Sequence, residues 1–138
     1  MNEDTFAKWT LGIDAGFCLV GGLVLMLGGV FMAEAVGVSG WWISILGIVV
    51  TFWTLVVALA GSRKHVTRKE LQRVIGGNLI FVASMVILMV IPGVFTAGGR
   101  IAVAVVSVIV AGFAAVQILA RSRLNRVGFF GSDQKKKT

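Results

Sequence analysis

Residues 41–60 read WWISILGIVVTFWTLVVALA, an unbroken run without a charged side chain. Hydrocarbon about 30 Å thick is crossed by ~20 residues of helix rising ~1.5 Å each, and this run has that length. Water is absent there, so the backbone must bond to itself, and helix is the state that satisfies it. Three further runs of the same character, 9–32, 74–95 and 101–120, fill most of the 138 residues. The expected fold is all-α: a polytopic membrane protein with an antiparallel bundle of four transmembrane helices over residues 1–123. A basic tail, 124–138, is expected to be disordered, being polar and rich in lysine.

Composition agrees. Hydrophobic residues make up 57% of the chain and charged ones 14%, against about 25% charged in an ordinary soluble domain. The mean hydropathy is +0.95.

The net charge of +7 is informative through its placement. Twelve of the 13 basic residues fall at the amino end (Lys8), between the second and third runs (Arg63, Lys64, Arg68, Lys69, Arg73) or after the fourth (Arg121, Arg123, Arg126, Lys135, Lys136, Lys137). Arg100 alone lies on the other side. Basic short loops stay cytoplasmic, so both termini and the middle loop are expected inside a multi-pass protein of the cytoplasmic membrane. Arg63, Lys64, Arg68, Lys69, Arg73, Arg121 and Arg123 are candidate contacts for anionic lipid headgroups. Nucleic acid is not an expected partner, because these charges sit at membrane edges and no nucleic-acid-binding module fits.

Ala33-Glu34-Ala35 resembles a signal-peptidase site. Glu3 and Asp4 in the leader, Asp14 within the run and the length of that run all argue for a retained first span. Trp9, Trp41 and Trp42 open their spans as headgroup-level anchors. Thr67-Arg68-Lys69-Glu70 spells a capping box, so the third helix is expected to begin at Thr67, and Pro92-Gly93 to mark its outer end.

Polar groups within spans are the best chemical clues, since lipid penalises them. Asp14, Thr54, Asn78 and Gln117 occur one per run, each toward the basic side, and form a candidate polar layer. One use is a site for an ion, a proton or a headgroup, with Asp14 as its ionisable member. The other, and the favoured one, is interhelical hydrogen bonding that fixes helix register, with Asp14 also able to reach Arg73 or Arg121. Gly12 and Gly16, and Ser107, Ala111 and Ala115, give small-residue lines for close helix packing within the bundle or between two copies. Cys18 reads as a small core residue. Metal-ligand spacing, paired catalytic carboxylates, a nucleophile elbow and a phosphate loop are not found in the sequence, and no cofactor or enzyme activity is expected.

Leu11-x-x-Asp14-Ala15 with Gly22, Asn78-Leu79-x-Phe81-Val82-Ala83-Ser84, Gly99 and Val110…Gln117-x-x-x-Arg121-x-Arg123 together resemble a widespread family of small bacterial four-helix integral membrane proteins. That family shows Leu-x-x-Asp-Ala, Asn-x-x-Trp-Val-x-Ser and a closing Gln with basic residues. Phe81 stands at its tryptophan, and the longer middle loop and lysine-rich tail also depart from the pattern. The resemblance spans residues 11–123 and implies a fold and a location but no activity. The expected function is a non-enzymatic scaffold or accessory component that meets the bilayer, anionic headgroups, and a second copy or another membrane protein. The alternatives are a small oligomeric transporter or channel around Asp14, and a phage-type pore former.

Overall fold

In the computed structural model, backbone is described for residues 2–135 and side chains for residues 2–124. Among the described residues four helices follow one another: α1 (Glu3–Val36), α2 (Gly40–Gly61), α3 (Arg68–Val90) and α4 (Ala97–Lys135). All four are long and apolar enough to cross a membrane. Helical backbone continues to Lys135, past the boundary expected after residue 123. Residues 136–138 and all side chains from 125 onward lie outside the described residues, so the expected basic tail is followed no further.

The helix ends follow from local chemistry. Asn2 caps α1 by accepting the Thr5 N–H at 2.8 Å, and Glu3 and Asp4 sit where the helix dipole favours acids. Gly37 closes α1 at φ 83°, a left-handed conformation open to glycine without a Cβ penalty. At α3 the capping box is complete: Thr67 Oγ1 accepts the Glu70 N–H, and the Glu70 carboxylate accepts the Thr67 N–H at 2.8 Å. The outer end of α3 differs from the expected span. The helix stops at Val90 and Ile91 is extended, so residues 91–95 are not helical. The cause is Pro92, whose ring disfavours helical geometry at the residue before it.

Packing is uneven. α1 lies against α2 and α4, and α3 lies against α4, whereas α2 and α3 barely meet although they are consecutive in the chain. The α1–α2 approach is set by glycine pairs seven residues apart. A Cβ on Gly22 would stand 3.1 Å from the Gly47 carbonyl oxygen, and one on Gly29 would stand 2.8 Å from that of Gly40. Gly12 and Gly16, which the sequence offered for close packing, have nothing within 4 Å of such a Cβ. Their place in the bundle seam is taken by Gly22, Gly29, Gly40 and Gly47.

The apolar core gathers at the basic end, around Ala7, Leu11, Ala15, Val57, Ala60, Val66, Leu71, Val74, Ile75 and Ala120. The opposite half shows apolar side chains outward, Phe31 being 87% exposed. So large an apolar exterior fits lipid rather than water. The basic end is stitched by polar bonds. Asp4 Oδ1 accepts the Val66 N–H at 2.9 Å, Lys8 Nζ donates to the Lys64 carbonyl at 2.8 Å, and Arg123 lies 4.7 Å over the Phe6 ring. At the other end the Thr96 N–H donates to the Val36 carbonyl at 3.0 Å, and the Thr96 hydroxyl to that of Ala35.

Candidate functional site

Directly beyond the apolar core, three polar side chains from three helices converge. Gln117 Nε2 on α4 donates to Asp14 Oδ2 on α1 at 2.6 Å. Asn78 Nδ2 on α3 donates to the same oxygen at 2.9 Å and to Gln117 Oε1 at 3.3 Å. The result is a closed ring of hydrogen bonds between Asp14, Asn78 and Gln117. Asp14 and Gln117 are wholly buried and Asn78 nearly so. Helical periodicity places them: Ala7, Thr10, Leu11, Asp14, Ala15 and Cys18 form one buried stripe on α1, and Ser107, Val110, Ala114, Gln117 and Ala120 another on α4.

A fourth member was not anticipated. Cys18, one turn after Asp14, points its thiol at Asp14 Oδ1 at 3.5 Å. The i, i+4 spacing was the available signal, since such residues share a helix face. Thr54, by contrast, does not join. It is buried on α2, but its hydroxyl bonds back to the Val50 carbonyl of its own turn at 3.1 Å. A mid-helix threonine commonly satisfies itself this way, and so leaves the layer without a member from α2. Arg73 and Arg121 do not reach Asp14 either: among the described residues no basic group lies within ion-pair distance of it.

The surface cations have their own arrangement. Arg63, Lys64, Arg68, Lys69, Arg73 and Arg123 are exposed, and Arg121 is partly buried. Arg63 Nε meets Glu70 Oε1 at 2.7 Å. Asp4 and Glu70 precede the apolar runs 9–32 and 74–95. The Val66 N–H and Lys8 hold the Asp4 carboxyl below its ordinary range. The Thr67 N–H and hydroxyl do the same for Glu70, helped by Arg63 and Arg73.

Two surface clefts bear on access. One, about 460 Å³, runs along Thr5, Lys8, Trp9, Gly12 and Ile13 of α1. The other, about 200 Å³, lies between α2 and α3 along Val56, Leu59, Ala60, Arg63, Glu70, Arg73 and Val74. Neither is lined by Asp14, Asn78 or Gln117. Compared with protein-family models, curated proteins and solved structures, the chain matches none of them.

Proposed function

We propose that this chain is a non-enzymatic scaffold or accessory protein of the bacterial cytoplasmic membrane. In this reading its helices run antiparallel, with both termini and the 62–67 loop on the cytoplasmic side. The twelve-to-one placement of basic residues supports that orientation. The glycine contacts support antiparallel α1 and α2: as numbering rises from Gly22 to Gly29, the partner falls from Gly47 to Gly40.

One observation carries the functional reading. The Asp14 carboxyl spends its hydrogen-bonding capacity on Asn78, Gln117 and Cys18 inside the protein, and neither cleft is lined by it. A transport site needs polar atoms offered to a passing ligand. A ring satisfied by its own members instead pins α1, α3 and α4 in one register.

The second reading, a small oligomeric transporter or channel, is favoured by Asp14 itself. A buried intramembrane carboxyl without a cation is a common mark of ion or proton pathways. Proteoliposomes separate the two. The scaffold reading expects no protein-dependent flux of protons, potassium or a cationic dye, and near-normal detergent stability in Asp14→Asn. Flux through the wild type that Asp14→Asn abolishes would establish the transporter.

A further inference from the structure

The cleft between α2 and α3 has features that the scaffold reading does not use. Its floor is apolar, with Val56, Leu59 and Ala60 from α2 and Val74 from α3, and its mouth carries Arg63, Glu70 and Arg73. Beyond the residues that line it, one turn further along each helix, the Trp53 ring lies against Gly77, where any Cβ would collide with the indole. From Ala60 to Trp53 is two turns of helix, a length of ~10 Å at ~1.5 Å per residue. Leu55, Leu59 and Phe52 are exposed along the same stretch of α2, so the cleft opens sideways onto apolar surroundings.

The charges at the mouth do not cancel. Glu70 gives one oxygen to Arg63 and the other to the Thr67 N–H and hydroxyl, at 2.8 and 3.0 Å. Arg63 meets that carboxylate through Nε, and its side chain remains 68% exposed. Arg73, one turn further along α3, is exposed on the same mouth. Two guanidinium groups against one committed carboxylate leave a net positive rim above an apolar trough. Guanidinium forks match phosphate oxygens, and an aliphatic trough matches an acyl chain.

We propose that the α2–α3 cleft seats one anionic phospholipid, its phosphate between Arg63 and Arg73 and one acyl chain along Val56 and Leu59 toward Trp53. The occupant fills the gap between two helices that otherwise barely meet, and makes the lipid part of the packing. This rests on the chain spanning a bilayer, but not on whether Asp14 is structural or transporting.

The test is lipid retention by native mass spectrometry after release from nanodiscs of phosphatidylglycerol or phosphatidylcholine. The wild type is expected to keep one phosphatidylglycerol and to lose phosphatidylcholine. On the ordinary strength of a basic residue at an anionic surface, retention should fall about fivefold in Arg73→Gln and about thirtyfold in Arg63→Gln/Arg73→Gln. Arg100→Gln, exposed in the first turn of α4 and away from the cleft, should retain lipid as the wild type does. Val56→Trp fills the trough and should also abolish retention although both arginines remain. Because Arg63 also braces the loop, Arg73→Gln and Val56→Trp are the decisive variants. The proposal is overturned by equal retention of both lipids, by wild-type retention in Arg73→Gln or Val56→Trp, or by displacement of the lipid with millimolar inorganic phosphate. Failure to assemble into nanodiscs at all would instead contradict the membrane reading.

Discussion

Replacing Asp14 by leucine removes the acceptor that Asn78 and Gln117 share, and the cost follows from what each amide loses. Gln117 Nε2 loses its 2.6 Å bond and Asn78 Nδ2 its 2.9 Å bond, although Asn78 keeps Gln117 Oε1 at 3.3 Å. Interhelical hydrogen bonds in membranes are worth ~0.6–2 kcal/mol each, so the two together set a loss of about 1–4 kcal/mol. The retained Asn78–Gln117 bond places the expectation near the middle, about 2 kcal/mol. Asp14→Asn behaves differently. Its carbonyl oxygen can accept both amides in place of Oδ2, with its NH2 turned toward the Cys18 sulfur, and the cost should stay under about 1 kcal/mol. Equilibrium unfolding in mixed detergent micelles measures both. The triple variant Asp14→Leu/Asn78→Leu/Gln117→Leu removes donors and acceptors together, and should be less destabilised than the sum of the three single changes. Stability in Asp14→Leu equal to or above the wild type, or strict additivity in the triple variant, would refute the ring as a helix tie.

Three further outcomes are expected. Gly47→Val forces a side chain into the backbone of α1 and should cost about 1–3 kcal/mol in the same assay, whereas Gly12→Ala, in open space, should be neutral or slightly stabilising. Asp4→Asn weakens the bond that holds Val66, and should speed tryptic cleavage at Arg63 and Lys64 severalfold in detergent at neutral pH. Acid should loosen the same loop by a definite route. Asp4 and Glu70 have lowered folded-state values, so their contribution is fully present above the ordinary carboxylate range and is lost as pH falls below that range. An amide signal of Val66 that weakens already between pH 7 and 5 would contradict that window.

The helices were legible because length and hydropathy are properties of contiguous sequence. The capping box at Thr67 was equally local, and it placed the start of α3 at Arg68 ahead of its apolar run. The apolar run 74–95 overshoots α3 by five residues, since 91–95 stay apolar although the backbone breaks at Ile91, just ahead of the Pro92-Gly93 pair that marked its outer end. The meeting of Asp14, Asn78 and Gln117 was foreseeable from their similar depth, but depth does not fix azimuth. Thr54 lies on a buried face and satisfies itself within α2, which no count along the chain reveals. Within the bundle, Gly12 and Gly16 fell short as a seam for the same reason: four-residue spacing marks a stripe, and only the packed helices show that the seven-residue pairs Gly22/Gly29 and Gly40/Gly47 face each other.

Thiol labelling of intact cells reaches the foundation most directly. In a Cys18→Ala background, Ser39→Cys, in the turn between α1 and α2, should react with a membrane-impermeant maleimide added outside. Ser62→Cys, on the basic α2–α3 connection, should react only after the membrane is opened. Labelling of Ser62→Cys in sealed cells, or recovery of the protein from a detergent-free soluble fraction, would contradict the account.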